Sequence, residues 1–87
     1  MKQLFCDNCH DIFRLTEDIK TCECGKVSGQ YYSDRITAWY KGEDAVPLGI
    51  ANSTFVKALK NQPNKGAGFE FTAFVIPKEC ETFIKKV

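Results

Sequence analysis

The sequence predicts an α+β fold, in which an N-terminal segment with four cysteines packs on a small antiparallel sheet with one short helix. Two close cysteine pairs lie near the start. Residues 30–40, 45–50 and 69–76 are rich in β-branched and aromatic residues that alternate, as strands do. Between them a polar Asn-Ser-Thr sequence opens a short helical apolar pattern. We expect residues 1–28 and 29–87 to form two docked units that behave as one domain.

The composition is typical of a folded protein. The 87 residues match one domain, and 44% are hydrophobic and 13% aromatic, with a net charge of +1. Basic residues are dispersed except for Lys85-Lys86, so the sequence offers little for generic nucleic-acid binding. The aromatic excess in so small a chain favours a homo-oligomer, most simply a two-fold dimer.

We expect a cytoplasmic protein without membrane contact. The chain begins Met1-Lys2-Gln3-Leu4-Phe5 and has no leader-like start. It also lacks an apolar run of about 18 residues. In the cytosol five cysteines indicate metal binding before disulfides.

The four N-terminal cysteines form a CxxC pair, Cys6 and Cys9, and a CxC pair, Cys22 and Cys24. Zn²⁺ prefers four thiolates in a tetrahedron. We expect these four to bind one structural zinc ion, because four thiolates leave no position for a substrate. The spacing resembles the zinc-ribbon family over residues 4–26, which implies a tight turn at each pair. The first pair departs from the common CPxCG pattern, and the second is one residue shorter than CxxC.

Other readings of the cysteines stay open. The same four sulfurs fit a rubredoxin-like iron site. Cys6-x-x-Cys9-His10 also matches c-type haem attachment, which needs export and a second axial ligand. His10, the single histidine, could replace a cysteine as ligand or lie beside the site.

The sequence predicts no enzyme. With one histidine, no nucleophile–base arrangement stands out. Cys80 lies between Glu79 and Glu81, and we expect these acidic neighbours to raise its pKa and disfavour reactivity.

Strands are expected at Lys2–Phe5 and Asp11–Leu15, and one long strand at Gln30–Tyr40. A turn at Lys41–Asp44 should lead into a partner strand, Ala45–Ile50, placed at an edge by Pro47. In the long strand one set of alternate residues, apart from Asp34, should face the core: Tyr32, Ile36, Ala38 and Tyr40.

The rest of the chain predicts one helix and one further strand. Asn52-Ser53-Thr54 are capping residue types, and Phe55, Val56 and Leu59 follow at helical spacing. Phe69–Ile76 reads as a strand. Phe83 and Ile84 in the tail could pack back on the core.

A candidate ligand site combines the long strand with the helix start. Aromatic rings stack on bases, arginine pairs with phosphate, and a helix N-terminus attracts anions. The same residues also fit an aromatic cross-strand ladder and ordinary capping. The candidate residues are Tyr31, Tyr32, Asp34, Arg35, Trp39, Asn52, Ser53 and Thr54.

The function expected is a non-enzymatic binding or regulatory module that engages a protein or nucleic-acid partner through its sheet surface. The alternative is a small-molecule binder that sequesters a phosphate-bearing nucleotide. In size and style the chain resembles small orphan proteins of phages and prophages. That resemblance implies a sponge-like anti-defence role in a host cytoplasm.

Overall fold

The computed structural model describes residues 1–86. It confirms the α+β class, and the strands form two four-stranded sheets where one small antiparallel sheet was expected. The elements are β1 (Lys2–Cys6), β2 (Ile12–Arg14), β3 (Lys20–Thr21), β4 (Ser28–Tyr31), β5 (Ala38–Lys41), β6 (Ala45–Ile50), α1 (Asn52–Lys60), β7 (Ala73–Val75) and β8 (Phe83–Lys85).

Sheet I has the strand order β2-β1-β6-β7, and sheet II has the order β3-β4-β5-β8. All neighbours are antiparallel except β5 and β8, which are parallel. Each sheet combines strands from the two units expected at residues 1–28 and 29–87. In sheet I, β1 pairs with β6, and in sheet II, β3 pairs with β4, which begins at Ser28. The register brings Leu4 opposite Pro47 and Ala38 opposite Phe83.

One apolar core joins the two sheets. The rings of Tyr40 and Phe83 meet edge to face with centroids 5.0 Å apart. Burial of each large side chain stabilises the fold by about 1.5–3 kcal/mol before entropy is counted. The core residues are Leu4, Cys6, Leu15, Cys22, Val27, Ala38, Tyr40, Ile76 and Phe83.

The prediction of one long strand over Gln30–Tyr40 was wrong. The chain forms a hairpin, β4 and β5, around a turn at residues 32–37. The Asp34 carboxylate accepts hydrogen bonds from the backbone N–H of Ile36 and of Thr37, at 3.0 and 2.9 Å, and Arg35 takes a φ of 61°. Aspartate favours such side-chain-closed turns. Tyr32 and Ile36, expected in the core, are exposed on this turn.

β6 matches its predicted bounds, but Pro47 does not lie in an edge strand. β6 lies between β1 and β7. The Pro47 carbonyl accepts a bond from the Ile76 N–H at 2.9 Å, so its nitrogen also faces the β7 side. Proline has no N–H, so the sheet lacks one hydrogen bond from residue 47 to residue 76. Because β7 ends at Val75, this missing bond lies just past the end of the β6–β7 pairing.

The predicted helix begins at Asn52, but its N-cap is Ala51, and no side chain caps it. The candidate capping groups have other partners. The Asn52 side-chain oxygen accepts a bond from the N-terminal amine of Met1 at 3.1 Å. Thr54 Oγ1 donates to the Ala51 carbonyl and accepts from the Thr72 N–H. No helix among residues 1–86 has the length and apolarity to cross a bilayer.

The strand predicted over Phe69–Ile76 is shorter than expected, because β7 contains only Ala73–Val75. The preceding residues turn toward α1, where the rings of Phe55 and Phe71 meet at 4.8 Å between centroids. Sequence reasoning missed β8. Its Phe83 is fully buried, and the strand closes sheet II beside β5.

Candidate metal centre

The four N-terminal cysteines lie in two turns that belong to different sheets. Cys6 ends β1, and Cys9 lies in the turn before β2, in sheet I. Cys22 follows β3, and Cys24 lies in the turn before β4, in sheet II. A metal ion held by all four would therefore cross-link the two sheets.

The sulfur geometry fits one metal ion. All four Sγ atoms lie within 4.8 Å of one another. Cys24 Sγ lies 3.7 Å from Cys6 Sγ and 3.5 Å from Cys22 Sγ. A tetrahedral ion with metal–sulfur distances of about 2.3 Å has sulfur–sulfur edges of about 3.8 Å. The four cysteines are thus positioned to bind a metal ion.

The backbone of each turn supports its cysteines. The Cys9 N–H donates to Cys6 Sγ at 3.5 Å, and the Val27 N–H donates to Cys22 Sγ at 3.3 Å. Such bonds stabilise thiolates and fix the direction of the sulfurs. Both turns therefore orient ligands before an ion binds.

His10 has the backbone role that Gly25 has in the second turn. Each residue follows its cysteine pair, and their φ angles are 63° and 83°. Histidine enters this left-handed region more readily than most residues with a Cβ. The imidazole stacks on Phe5 at 5.7 Å between centroids and contributes no atom to the cysteine cluster. This explains how the first turn forms without glycine.

The thiols differ in acidity. Burial raises the pKa of Cys6 to about 11. Hydrogen bonds from the Asn8 side chain and from the Lys26 backbone lower the pKa of Cys24 to about 6. Because metals bind thiolates, deprotonation of Cys6 on metal binding costs more than deprotonation of Cys24.

Cys80 is separate from this cluster, and the expectation that its acidic neighbours raise its pKa was wrong. Hydrogen bonds from the Thr82 side chain and backbone lower the pKa of the Cys80 thiol. Glu79 and Glu81 are both exposed, where water screens their charges.

The residues predicted to bind a nucleotide fall into separate places. Tyr31 and Arg35 line an open cleft of ≈ 570 Å³ together with Arg14 and Glu17. The Arg35 guanidinium is already paired with the Glu17 carboxylate. Thr54 instead lines a different cleft, beside Lys57.

The other candidates are also dispersed. The Lys86 ammonium lies 4.6 Å from the Trp39 ring centroid and 5.8 Å from that of Tyr32, so both rings already have a cation partner. Asp34 closes its turn, and the bonds from Ile36 and Thr37 lower its pKa. Ser53 is exposed in the first turn of α1.

Sequence reasoning missed an exposed apolar surface on α1 and the residues leading into β7. We call it the C-terminal apolar surface. The signal in the sequence was the aromatic excess, which predicted an interface without placing it. Its members are Leu59, Phe69 and Phe71, which line one cleft and are 61%, 44% and 44% exposed. Phe74 and Val75 are exposed on opposite faces of β7, and the Phe74 ring lies over Gly49.

The chain matches no protein-family model, no curated protein and no solved structure. The likeness to zinc ribbons therefore remains a resemblance in cysteine spacing, and the metal centre rests on the geometry of the four sulfurs.

Proposed function

We propose that the protein is a non-enzymatic interaction module, in which four thiolates hold a structural zinc ion and the C-terminal apolar surface binds a protein partner. Two closely spaced cysteine turns support zinc over other ions. A closed set of four sulfurs supports a structural role, because tetrahedral zinc then has no position left for a substrate.

The observation that carries the partner-binding proposal is the exposure of two phenylalanines, Phe69 and Phe71, in one cleft beside α1. Leu59, which is 61% exposed, lines the same cleft as Phe69 and Phe71. Aromatic residues are enriched in protein interfaces. The near-neutral net charge of +1 favours a protein over a nucleic acid.

The metal and the surface are linked through sheet I. β1 carries Cys6 at one end and pairs along its whole length with β6. β6 pairs in turn with β7, which follows Phe69 and Phe71 of the apolar surface in the chain. An ion that fixes the β1–β2 turn therefore also supports the strand that follows the surface.

Site-specific photo-crosslinking in cells tests the partner proposal. A photo-reactive side chain at Leu59, within the surface, should yield discrete protein adducts. The same group at Ile19, which is equally exposed at 61% but outside the surface, should yield few. Equal labelling from both positions, or none from either, would contradict the proposal, and salt-dependent RNA adducts would favour a nucleic-acid partner.

Native mass spectrometry tests the metal assignment. We expect one zinc ion per chain in the wild type and in Cys80→Ser, and none in Cys22→Ser. Visible absorbance typical of an iron–thiolate centre would show that the bound ion is iron and not zinc. The structural role of the ion would then still hold.

One observation favours a second function, the sequestration of a phosphate-bearing nucleotide. Arg14, Arg35 and Tyr31 line the same cleft as Glu17 and Asp18. A phosphate bound there would take the place of Glu17 beside Arg35, and the Tyr31 ring could stack on the base. A nucleotide that binds there should raise the melting temperature, and Arg35→Ala should abolish the shift. Ser53→Ala, away from this cleft, is the matched control. Absence of any shift would remove this candidate and the sponge role with it.

A further inference from the structure

Resting on the proposed function, we infer that the C-terminal apolar surface binds an acidic segment of the partner protein, which inserts an apolar side chain into the cleft beside α1. Two features of the molecule support this partner chemistry. One is the size and lining of the cleft, and the other is a local excess of lysines around it.

The cleft is small and apolar. On α1 it is lined by Phe55, Ala58 and Leu59, which recur at helical spacing, together with Phe69 and Phe71. The rings of Phe55 and Phe71 meet edge to face with centroids 4.8 Å apart. The volume of the cleft is ≈ 270 Å³, below the range of about 300–1,000 Å³ for small-molecule sites. This size fits one or two apolar side chains of a peptide better than a free small molecule.

Three lysines belong to the segments that form the cleft. Lys57 lines an adjoining cleft that shares the two phenylalanines, and Lys60 lies about one turn further along α1. Lys65 lies in the loop of residues 61–68, which also lines the apolar cleft. All three are exposed, and none forms an ion pair within residues 1–86. An acidic segment would therefore meet free ammonium groups beside the site of its apolar side chain.

The positive charge belongs to this region and not to the chain as a whole. Residues 45–69 contain the three lysines and no acidic residue. The whole chain has 12 basic and 11 acidic residues, so the remainder has nine basic and 11 acidic. Lysines in the last turn of a helix also stabilise its C-terminus, which explains Lys57 and Lys60 but not Lys65. Complementary charge favours an acidic partner, because like charges would oppose a basic one.

A peptide fits this surface better than an anionic lipid surface, which apolar residues beside lysines also bind. The apolar residues line a recess, which a side chain can enter and a flat bilayer cannot. Glu70 lies between the two phenylalanines in the chain and lines the cleft beside Lys57. Anionic headgroups would repel its carboxylate, whereas a peptide can place its acidic residues beside the lysines alone.

Selection from a surface-displayed library of random peptides, with the metal-loaded protein as bait, tests the inference. The enriched peptides should combine acidic residues with an aromatic or leucine side chain and contain few basic residues. The most enriched sequence, made as a labelled synthetic peptide, then serves as the probe in fluorescence-anisotropy titrations. Its affinity should fall as the salt concentration rises, because salt screens exposed charges.

Two variants separate the apolar contact from the charges. Leu59→Glu should weaken peptide binding at least about tenfold, because it places a charge in the apolar contact. Lys57→Glu combined with Lys60→Glu should weaken it about tenfold at low salt and less at high salt. Lys20→Glu makes the same change at an exposed lysine of β3 and should leave the affinity unchanged. If a variant loses its cooperative melt, Leu59→Ala or Lys65→Glu replaces it.

Enrichment of basic or uncharged peptides, no enrichment, or binding indifferent to these variants would overturn the inference. Binding to vesicles of phosphatidylserine and phosphatidylcholine in preference to the peptide would also overturn it. Mass-spectrometric sequencing of the segment crosslinked at Leu59 separates this failure from that of the proposed function. A linked segment that is not acidic would retain the interaction module and reject the acidic partner. Absence of both adducts and enriched peptides would reject both proposals.

Discussion

Residues 2–41, which carry the cysteine turns, contribute eight of the buried apolar side chains, whereas residues 52–75, which contain α1 and β7, contribute only Ala58. Both regions are rich in aromatic and aliphatic residues. The first folds them inward between two sheets, and the second leaves them at its surface. The difference shows how a small chain can divide its apolar residues between a core and an exposed surface.

The physical reason lies in the cross-links available to each region. The cysteine turns bring β1 and β3 together from different sheets, and the core fills the space between them. α1 has no comparable support, and it is held mainly through Thr54, Phe55 and the residues before β7. We therefore expect α1 to open locally at lower free energy than the hairpins.

Removal of the metal should have the largest effect. Chelation, or Cys22→Ser, should abolish the cooperative thermal transition of both sheets, because the metal ion that joins the two cysteine turns would be lost. Structural zinc contributes about 10–16 kcal/mol in small zinc domains, which exceeds the net stability of most small proteins. Circular dichroism melts with and without chelator measure this. Cys80→Ser is the control, and a cooperative melt retained without metal would refute the structural role.

Gly42→Ala should have the next largest effect. Gly42 lies where the chain crosses from sheet II to sheet I, its φ is 119°, and an added Cβ would overlap the Lys26 carbonyl oxygen. We expect a loss of about 2–4 kcal/mol in the free energy of unfolding, measured by denaturant titration. Gly68→Ala is the matched control, because Gly68 has no positive φ and open space around it. Equal effects at the two positions would contradict this account.

A smaller effect concerns Asp34 and acid. Because the pKa of Asp34 is lowered in the folded protein, its ionised form stabilises the β4–β5 turn. That stabilisation is complete above the ordinary pKa of 3.8 and is lost as pH falls through the lowered value. Asp34→Asn should therefore melt below the wild type at neutral pH and approach it in acid. Acid also protonates the metal-binding thiols of both proteins, so the difference between their melting temperatures is the measurement. A difference independent of pH would count against the ionised turn.

The smallest effect is expected at Leu59, compared with Leu4. Leu59 is 61% exposed and Leu4 is fully buried. Leu4→Ala should cost about 2–5 kcal/mol, and Leu59→Ala no more than about 0.5 kcal/mol. Denaturant unfolding at low protein concentration, where self-association is minimal, makes this comparison. Similar losses at the two leucines would show that α1 belongs to the core after all.

Much of the N-terminal region was predictable, because its signals are local. The cysteine spacing predicted both turns, and β1 and β2 fall within the expected stretches. The hairpin β4–β5 was not predicted, because alternation over residues 30–40 fits one strand as well as two strands joined by a turn. Asp34 was the available signal for a turn. β8 was missed because three residues with one buried ring carry too little pattern to predict a strand.

By itself, the sequence determined what depends on near neighbours: the two cysteine turns, the position of α1 and the bounds of β6. Backbone conformation, ligand spacing and helical periodicity act over a few residues, so they can be predicted from a short segment. Only the tertiary structure decided that the two turns belong to different sheets, that Phe83 pairs beside Ala38, and that α1 leaves its apolar residues exposed. These outcomes depend on which pairing of distant strands buries the most apolar surface, and that is a property of the whole chain.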